Sequence, residues 1–256
     1  MGILSWVALS LLLAAFLGVL LFRLVFVPWG TRWGATAEEC RARMAGDAFM
    51  AESGHGRASI VMTRAISIAA PPSIVSPWLG QLGRGAGFYS YDRLDNGGKR
   101  SANHIVSWIP APALGDSSAI GYLRHLEPGA ELAWWAPAES FLGAEGWMAT
   151  DMRVAAEGKG SRLVIRISGD VMGRTAWLAK RAFMVIDCLM ARRQLLEIRQ
   201  RAERYAERSE NRERPETGAR DQYQLYEVVF ASGDRAGVAG KEHGARFREL
   251  AARDLA

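Results

Sequence analysis

The side chains in this chain best suited to acid–base work are Tyr89, Tyr91 and Asp92, all within the run Phe88-Tyr89-Ser90-Tyr91-Asp92. A tyrosine hydroxyl or a carboxylate at the edge of an apolar pocket can orient the polar end of a ligand or exchange a proton with it. The same side chains also serve as packing units and local hydrogen-bond partners. Arg64 is a second candidate. It interrupts an apolar face, and a buried guanidinium requires a partner, which a ligand carboxylate or a protein acid can supply unless the side chain snorkels out at an edge. Trp134 and Trp135 are adjacent, so in a strand one faces the interior and one the exterior, and the interior one is a candidate ligand contact as well as a core residue.

Other chemistries find little footing. His55, His104, His125 and His243 show neither HxxxH nor HExxH spacing, and Cys40 and Cys188 lie far apart. Neither a metal site nor a disulfide framework is expected. His104 is a general-base candidate without a visible partner. Residues 83–87, Gly-Arg-Gly-Ala-Gly, lack GxGxxG spacing and a following Lys-Ser/Thr, so they read as a turn and no cofactor is expected. The net charge of +5 is a modest excess that favours an anionic neighbour. A membrane is the partner expected here, and nucleic acid is not.

Such residues need elements to position them. Residues 3–22 carry no charge and only Ser5 and Ser10 as polar side chains. As a helix rising about 1.5 Å per residue they span roughly 30 Å, the thickness of a bilayer's hydrocarbon core. Trp6 and Trp29 flank the run like interfacial anchors. A cleaved signal peptide, with residues 35–37 (Ala-Thr-Ala) at the cleavage site, is the competing reading. Signal peptides carry a basic leader and a shorter apolar stretch, whereas this chain opens MGILSW and runs longer, which favours an uncleaved anchor. Arg23, Arg32, Arg41 and Arg43 all follow the run, so the positive-inside rule places the rest of the chain in the cytoplasm of a single-pass protein of the cell membrane.

Beyond a polar stretch at residues 46–57, Met62, Ile66 and Ile68 mark one face of a strand that ends at Pro71-Pro72. Ser73 is the expected N-cap of a short helix at residues 74–82, and residues 88–98 read as an aromatic turn of helix stopped by Asn and Gly. Prolines 110, 112, 128 and 137 break residues 101–143 into short strands or irregular segments. Residues 147–156 and 161–169 alternate around Glu157-Gly158-Lys159-Gly160, which predicts a hairpin. Residues 175–208 contain neither Gly nor Pro and repeat apolar side chains at helical spacing, which predicts one long helix. Its second half interleaves Arg and Glu, the pattern of a solvated, salt-bridged face or of a contact with anionic lipid. Residues 209–221 read as a charged linker, followed by a strand-like run at 225–230 and a short helix at 244–252.

A set of short words, residues 33–36 (Trp-Gly-Ala-Thr), 63–66 (Thr-Arg-Ala-Ile), 70–72 (Ala-Pro-Pro), 77–79 with Gln81, and 87–92 with 94–96, resembles a group of bacterial SRPBCC (START-like, polyketide cyclase-type) proteins. The resemblance covers roughly residues 33–207. It implies an α+β helix-grip fold in which a curved antiparallel sheet grips the long C-terminal helix over an apolar cavity, here preceded by one transmembrane helix. Members bind lipids, sterols, polyketides and other hydrophobic molecules, and some catalyse cyclisation or hydrolysis. No catalytic motif is shared across the group, so none carries over.

The expected organisation is an anchor at residues 1–30, a cavity domain at 31–208 and a charged linker with C-terminal extension at 209–256. The candidate ligand-binding set is Arg64, Tyr89, Tyr91, Asp92 and Trp134 together with the apolar positions Ile66, Ile68, Met152, Ile165, Phe183 and Ile186, each on an expected inner face. The leading expectation is a binding protein for a hydrophobic small molecule or lipid. The alternatives are a cyclase-, aromatase- or hydrolase-like enzyme using Tyr89, Asp92 or His104, and an interaction protein without a ligand.

Overall fold

The computed structural model describes residues 2–52, 58–141 and 144–213. The expected elements at 225–230 and 244–252, and His55 and His243, lie outside them. The chain opens with helix α1 (Ile3–Leu21), which continues through a π-helical stretch (Phe22–Phe26) into α2 (Val27–Arg32). Pro28 accounts for the widened turn, because its ring displaces the carbonyl four residues back and offers no N–H to it. Helix therefore runs without a break from Ile3 to Arg32.

Strand β1 (Ile60–Ile68) is followed by α5 (Pro72–Gly80), with α3 (Ala37–Arg41) and α4 (Gly46–Glu52) preceding it. A single-turn α6 (Asp92–Asp95) and strands β2 (Ser117–Ser118), β3 (Gly121–Glu127), β4 (Glu131–Phe141), β5 (Ala144–Glu157) and β6 (Gly160–Met172) lead to α7 (Ala176–Glu213). The six strands form one antiparallel sheet in the order β1-β6-β5-β4-β3-β2. The α+β expectation, an antiparallel sheet with a long C-terminal helix, is met. The predicted β5–β6 hairpin closes with Gly158 at φ 58°, the left-handed first position that a II′ turn reserves for glycine.

Three local expectations give way. Ser73 does not cap α5, which begins at Pro72 behind Pro71, because a proline at the first helical position needs no N–H partner. Residues 88–91 are not helical, since Tyr89 holds a left-handed φ of 57°, and the helical turn starts at Asp92. The long helix passes through Ser209 to Glu213, because no Gly or Pro interrupts it before Pro215. The interleaved charges in its second half pair along the helix as Arg193–Glu197, Arg201–Glu197 and Arg199–Glu203.

Alternation assigns the two faces of the sheet. On the inner face Ile66, Ile68, Trp134, Met152, Leu163 and Ile165 form one core with Val75, Trp78 and Leu79 of α5 and with Leu195, Ile198 and Ala202 of α7. Nearer the start of α7, Ala179 packs on Ile60, Met62, Ile167 and Val171.

The outer face is also covered. Residues 33–49 lie against it, with Met44 on Ala65 and Val164, and Phe49 on Ala133 and Ala149. Three arginines of the sheet bolt this segment down. Arg166 donates to the carbonyls of Glu39 (2.7 Å), Cys40 (3.1 Å) and Ala42 (2.7 Å) and to Asp47 (3.2 Å). Arg162 donates to the Glu39 carboxylate and the Gly34 carbonyl, and Arg153 to Glu131 and the Arg43 carbonyl. The Arg162 guanidinium holds the Glu39 carboxyl below its usual range. Asp151, fully buried, accepts from Gly46 N–H at 2.6 Å. Burial pushes its pKa up to about 7, with Asp47 and Glu131 adding to the effect. A side chain at residue 46 would collide with that carboxylate, so glycine is required there.

The edge strand β1 is closed by the same segment. Ala65 N–H donates to the Trp33 carbonyl at 3.1 Å, and Gly34 turns away at φ 70°. This covers an edge that would otherwise present free ladder groups.

Candidate ligand cavity

A cavity of about 450 Å³ opens between the C-terminal half of α5, residues 105–112 and the β3–β4 hairpin, with Met152 and Val154 in its wall. Its lining is dominated by apolar side chains such as Leu79, Ile109 and Leu126 and by Pro110, Pro112 and Pro128. That volume falls within the range of sites for small organic ligands, whose walls are mostly apolar with a few placed polar groups.

Gln81 holds the wall together. Its Oε1 accepts from Val106 N–H at 2.9 Å, and its Nε2 donates to the His104 carbonyl at 3.1 Å and to the Tyr89 hydroxyl at 2.6 Å. The segment before the proline run is thereby stapled to the end of α5. Tyr89 stands behind this glutamine, 1% exposed, edge-on to Trp78 and beneath the Arg201 guanidinium. Burial pushes its pKa up to about 12, so it stays a neutral phenol. Its left-handed backbone is held by N–H donation to Ser101 Oγ at 3.0 Å, and Ser101 in turn donates to Asp92 through both N–H and Oγ. Tyr89, Ser101 and Asp92 form a structural clasp, and Tyr91 is exposed at the surface.

Of the eleven positions singled out in the sequence, Met152 lines the cavity. Ile66, Ile68, Trp134 and Ile165 fill the core beneath α5 and α7. Trp135, on the opposite face, stacks on Trp147 at 5.2 Å. Phe183 packs against the second core, and Ile186 lies outside on α7, 49% exposed. The buried stripe of α7 shifts around the helix as it crosses the sheet, from Ala179 to Cys188, Ala191 and Leu195, and it leaves Ile186 on the outer side. Arg64 is fully buried and pairs with Asp187 of α7 at 2.6 Å, while its Nε donates to the Gly30 carbonyl of α2 at 2.7 Å. Its partner is a protein acid, and the pair ties α2 to α7 across β1.

Sequence reading missed Gln81, Leu79, Leu126 and Val154 as cavity residues. The prolines, read only as breakers, carried the available signal: a ring without an N–H can form an apolar lip. His104 is exposed, and its ring lies 3.0 Å from the Asn103 side-chain oxygen. Ligand atoms of His125, Glu127 and Glu131 lie within 4.8 Å of one another at the hairpin. Glu131 is already committed, since it accepts from Arg153 Nε (3.1 Å) and Nη2 (3.0 Å) and from Ala45 N–H (3.2 Å).

No family model matches the chain, and no curated protein matches it. Solved structures do. One is protein MLL2253 from Mesorhizobium loti, at 13% identity over 57% of this chain and 98% of that one, with a TM-score of 0.36. A second is the di-domain ARO/CYC StfQ from the steffimycin biosynthetic pathway, at 10% identity over 63% of this chain and 56% of that one, with a TM-score of 0.38. CalU16 from Micromonospora echinospora matches at 14% identity over 59% of this chain and 93% of its own length, with a TM-score of 0.24.

Proposed function

We propose that this protein is a single-pass membrane protein whose cytoplasmic domain holds a hydrophobic small molecule or lipid in the cavity beside α5. The observation that carries the reading is the cavity itself, about 450 Å³ and mostly apolar, walled by Leu79, Ile109, Leu126, Met152 and Val154. The acid–base candidates Tyr89, Asp92 and His104 are not among its lining residues. That favours holding a ligand over transforming it.

Two features support the membrane part. One helix, spanning Ser5–Arg32, is long and apolar enough to cross a bilayer, and its most apolar stretch is nowhere buried against the rest of the fold. Residues at its end and just beyond are built into the domain: the Gly30 carbonyl holds Arg64, Trp33 closes the β1 edge, and Thr36 and Glu39 form a reciprocal capping box on α3. Cleavage at residues 35–37 would strip all of these away, which favours an uncleaved anchor. The cytoplasmic placement rests on Arg23, Arg32, Arg41 and Arg43 following the uncharged run at residues 3–22.

The test is mass spectrometry of molecules co-purifying with the detergent-extracted full chain and with two cavity-filling variants, Leu126→Trp and Met152→Trp. The expected result is an apolar species that stays with the parent and is lost from both variants, each still unfolding cooperatively on heating. Absence of any bound species from the parent, or equal retention by the variants, overturns the reading.

A further inference from the structure

The first half of α7 has two unlike sides. Ala176, Ala179, Phe183 and Met184 face the sheet core. Trp177 (65% exposed), Leu178 (48%), Ile186 (49%) and Leu189 (48%) lie on the outside, with Met172 (45%) just before the helix. At about 100° per residue Leu178, Ile186 and Leu189 lie within about 80° of one another around the helix, with Trp177 about 100° round from Leu178. An exposed apolar strip like that of Leu178, Ile186 and Leu189 marks a surface that meets something other than water.

The charges around the strip are one-signed. Arg174, Arg181 and Arg192 are exposed, and no ion pair with an acid is recorded for them among the described residues. The one acid between residues 171 and 196, Asp187, is turned inward onto Arg64. Lys180 is held by Asp170 at 2.8 Å. An apolar face of Leu and Ile with arginine along its side is the pattern of a helix lying in the headgroup region of an anionic bilayer.

The position of the strip follows from the anchor. Gly30 of α2 packs directly on Cys188 of α7, so closely that any side chain at residue 30 would strike the cysteine sulfur. Phe22, Phe26 and Gly30 recur at four-residue spacing, and the Phe26 ring lies beside Gly30 on that same face. Arg192 sits over the Trp33 ring, one turn beyond this crossing. Going back along both helices from this crossing leads toward the apolar span on one side and toward Trp177 on the other. Arg23, which ends the uncharged run, is seven residues before Gly30, about 10 Å along the helix.

We propose that the first half of α7 is a second membrane contact, laying Leu178, Ile186 and Leu189 into the headgroup layer of an anionic leaflet beside the exit of α1. The proposal rests on the reading that α1 spans the bilayer, and it adds that the domain is docked on the membrane surface by its own gripping helix. The cavity lies toward the other end of the sheet. Val154 pairs with Leu163, nine positions along β6 from Met172, about 30 Å at strand rise. Docking through the start of α7 therefore leaves the cavity uncovered by lipid.

The test uses the full chain in nanodiscs of phosphatidylcholine with or without phosphatidylglycerol, with Cys40→Ser and Cys188→Ala as background. Single cysteines at positions 12, 178, 189 and 204 carry a nitroxide, and its accessibility to oxygen and to a water-soluble nickel chelate is read. The oxygen-to-nickel ratio is expected to be several-fold higher at 178 and 189 than at 204, and to fall toward that of 204 when phosphatidylglycerol is left out. A high ratio at 12 with ratios at 178 and 189 equal to that at 204 overturns this inference and leaves the anchor standing. A low ratio at 12 overturns the anchor and this inference together. Protection of 178 and 189 from both reagents also overturns it, in favour of a second copy (spin–spin broadening present) or of the C-terminal extension (broadening absent).

Discussion

Asp151→Asn puts a number on the polar interface that joins residues 33–49 to the sheet. In the native protein one Asp151 oxygen accepts from Gly46 N–H at 2.6 Å, and the other has no hydrogen-bond partner among the described residues. Burial raises its pKa from 3.8 to about 7, assisted by Asp47 and Glu131 and opposed by the Gly46 N–H and by Arg166. The folded state thus binds this proton more tightly than the unfolded chain does. Its contribution to stability is complete below about pH 4 and is lost as pH rises through about 7. From 3.8 to about 7, at about 1.36 kcal/mol for each tenfold in proton affinity, the loss by alkaline pH is about 4 kcal/mol. Asparagine has nearly the same shape, keeps the acceptor for Gly46 and places an NH2 group where the unpartnered oxygen lies, without ionising. The variant is expected to lose the alkaline fall, so that it exceeds the parent by about 2–4 kcal/mol near pH 8.5 and by much less near pH 5. Urea denaturation of the full chain in a mild non-ionic detergent, followed by tryptophan fluorescence at both pH values, reads the difference. A gap that fails to widen with pH would show that Asp151 is already ionised at little cost in the fold and would refute the reasoning.

Arg64→Met leaves the Asp187 carboxylate without its cation and is expected to lower stability by about 3–5 kcal/mol. Arg64→Met with Asp187→Leu should recover most of that loss in thermal unfolding, and a double variant no better than the single would refute the pairing. Gly34→Ala forces a side chain into a left-handed backbone and against the Ala65 carbonyl, for a cost of about 1–3 kcal/mol. It should also speed hydrogen exchange at the Ala65 amide, which donates to Trp33, and unchanged exchange there would count against the strap.

What was legible in the sequence was whatever repeats. The β5–β6 hairpin showed in strict alternation around a glycine turn, and α7 in helical spacing free of Gly and Pro. The inner positions of β1 and β5 followed from parity alone. The cavity was not legible, because it is defined by where packing stops, and no periodicity records a gap. Arg64 showed as an anomaly on an apolar face, but its partner is 123 positions away on α7, and only the fold brings Asp187 to it. Tyr89 and Asp92 looked chemical because their residue types are versatile. Their neighbours in space, Gln81 and Ser101, spend that capacity on holding a left-handed turn.

The displacement of the cavity from beneath α7 has a physical cause. Where α7 crosses the sheet, Leu195, Ile198, Ala202 and Ala206 reach the same core as Trp78, Trp134, Met152 and Leu163, and side chains of that volume leave no room for a ligand. Farther across the sheet the covering element is α5, extended by residues 105–112 with Pro110 and Pro112. A proline-stiffened segment cannot adjust its backbone to close onto Leu126 and Leu132 as a helix of leucines would, and Gln81 fixes its start at Val106. The gap that remains is backed by the hydrogen bonds of Gln81 to Val106, His104 and Tyr89. The β3–β4 turn at Pro128–Ala130 forms the opposite wall, with Glu127 beside it and Glu131 paired to Arg153.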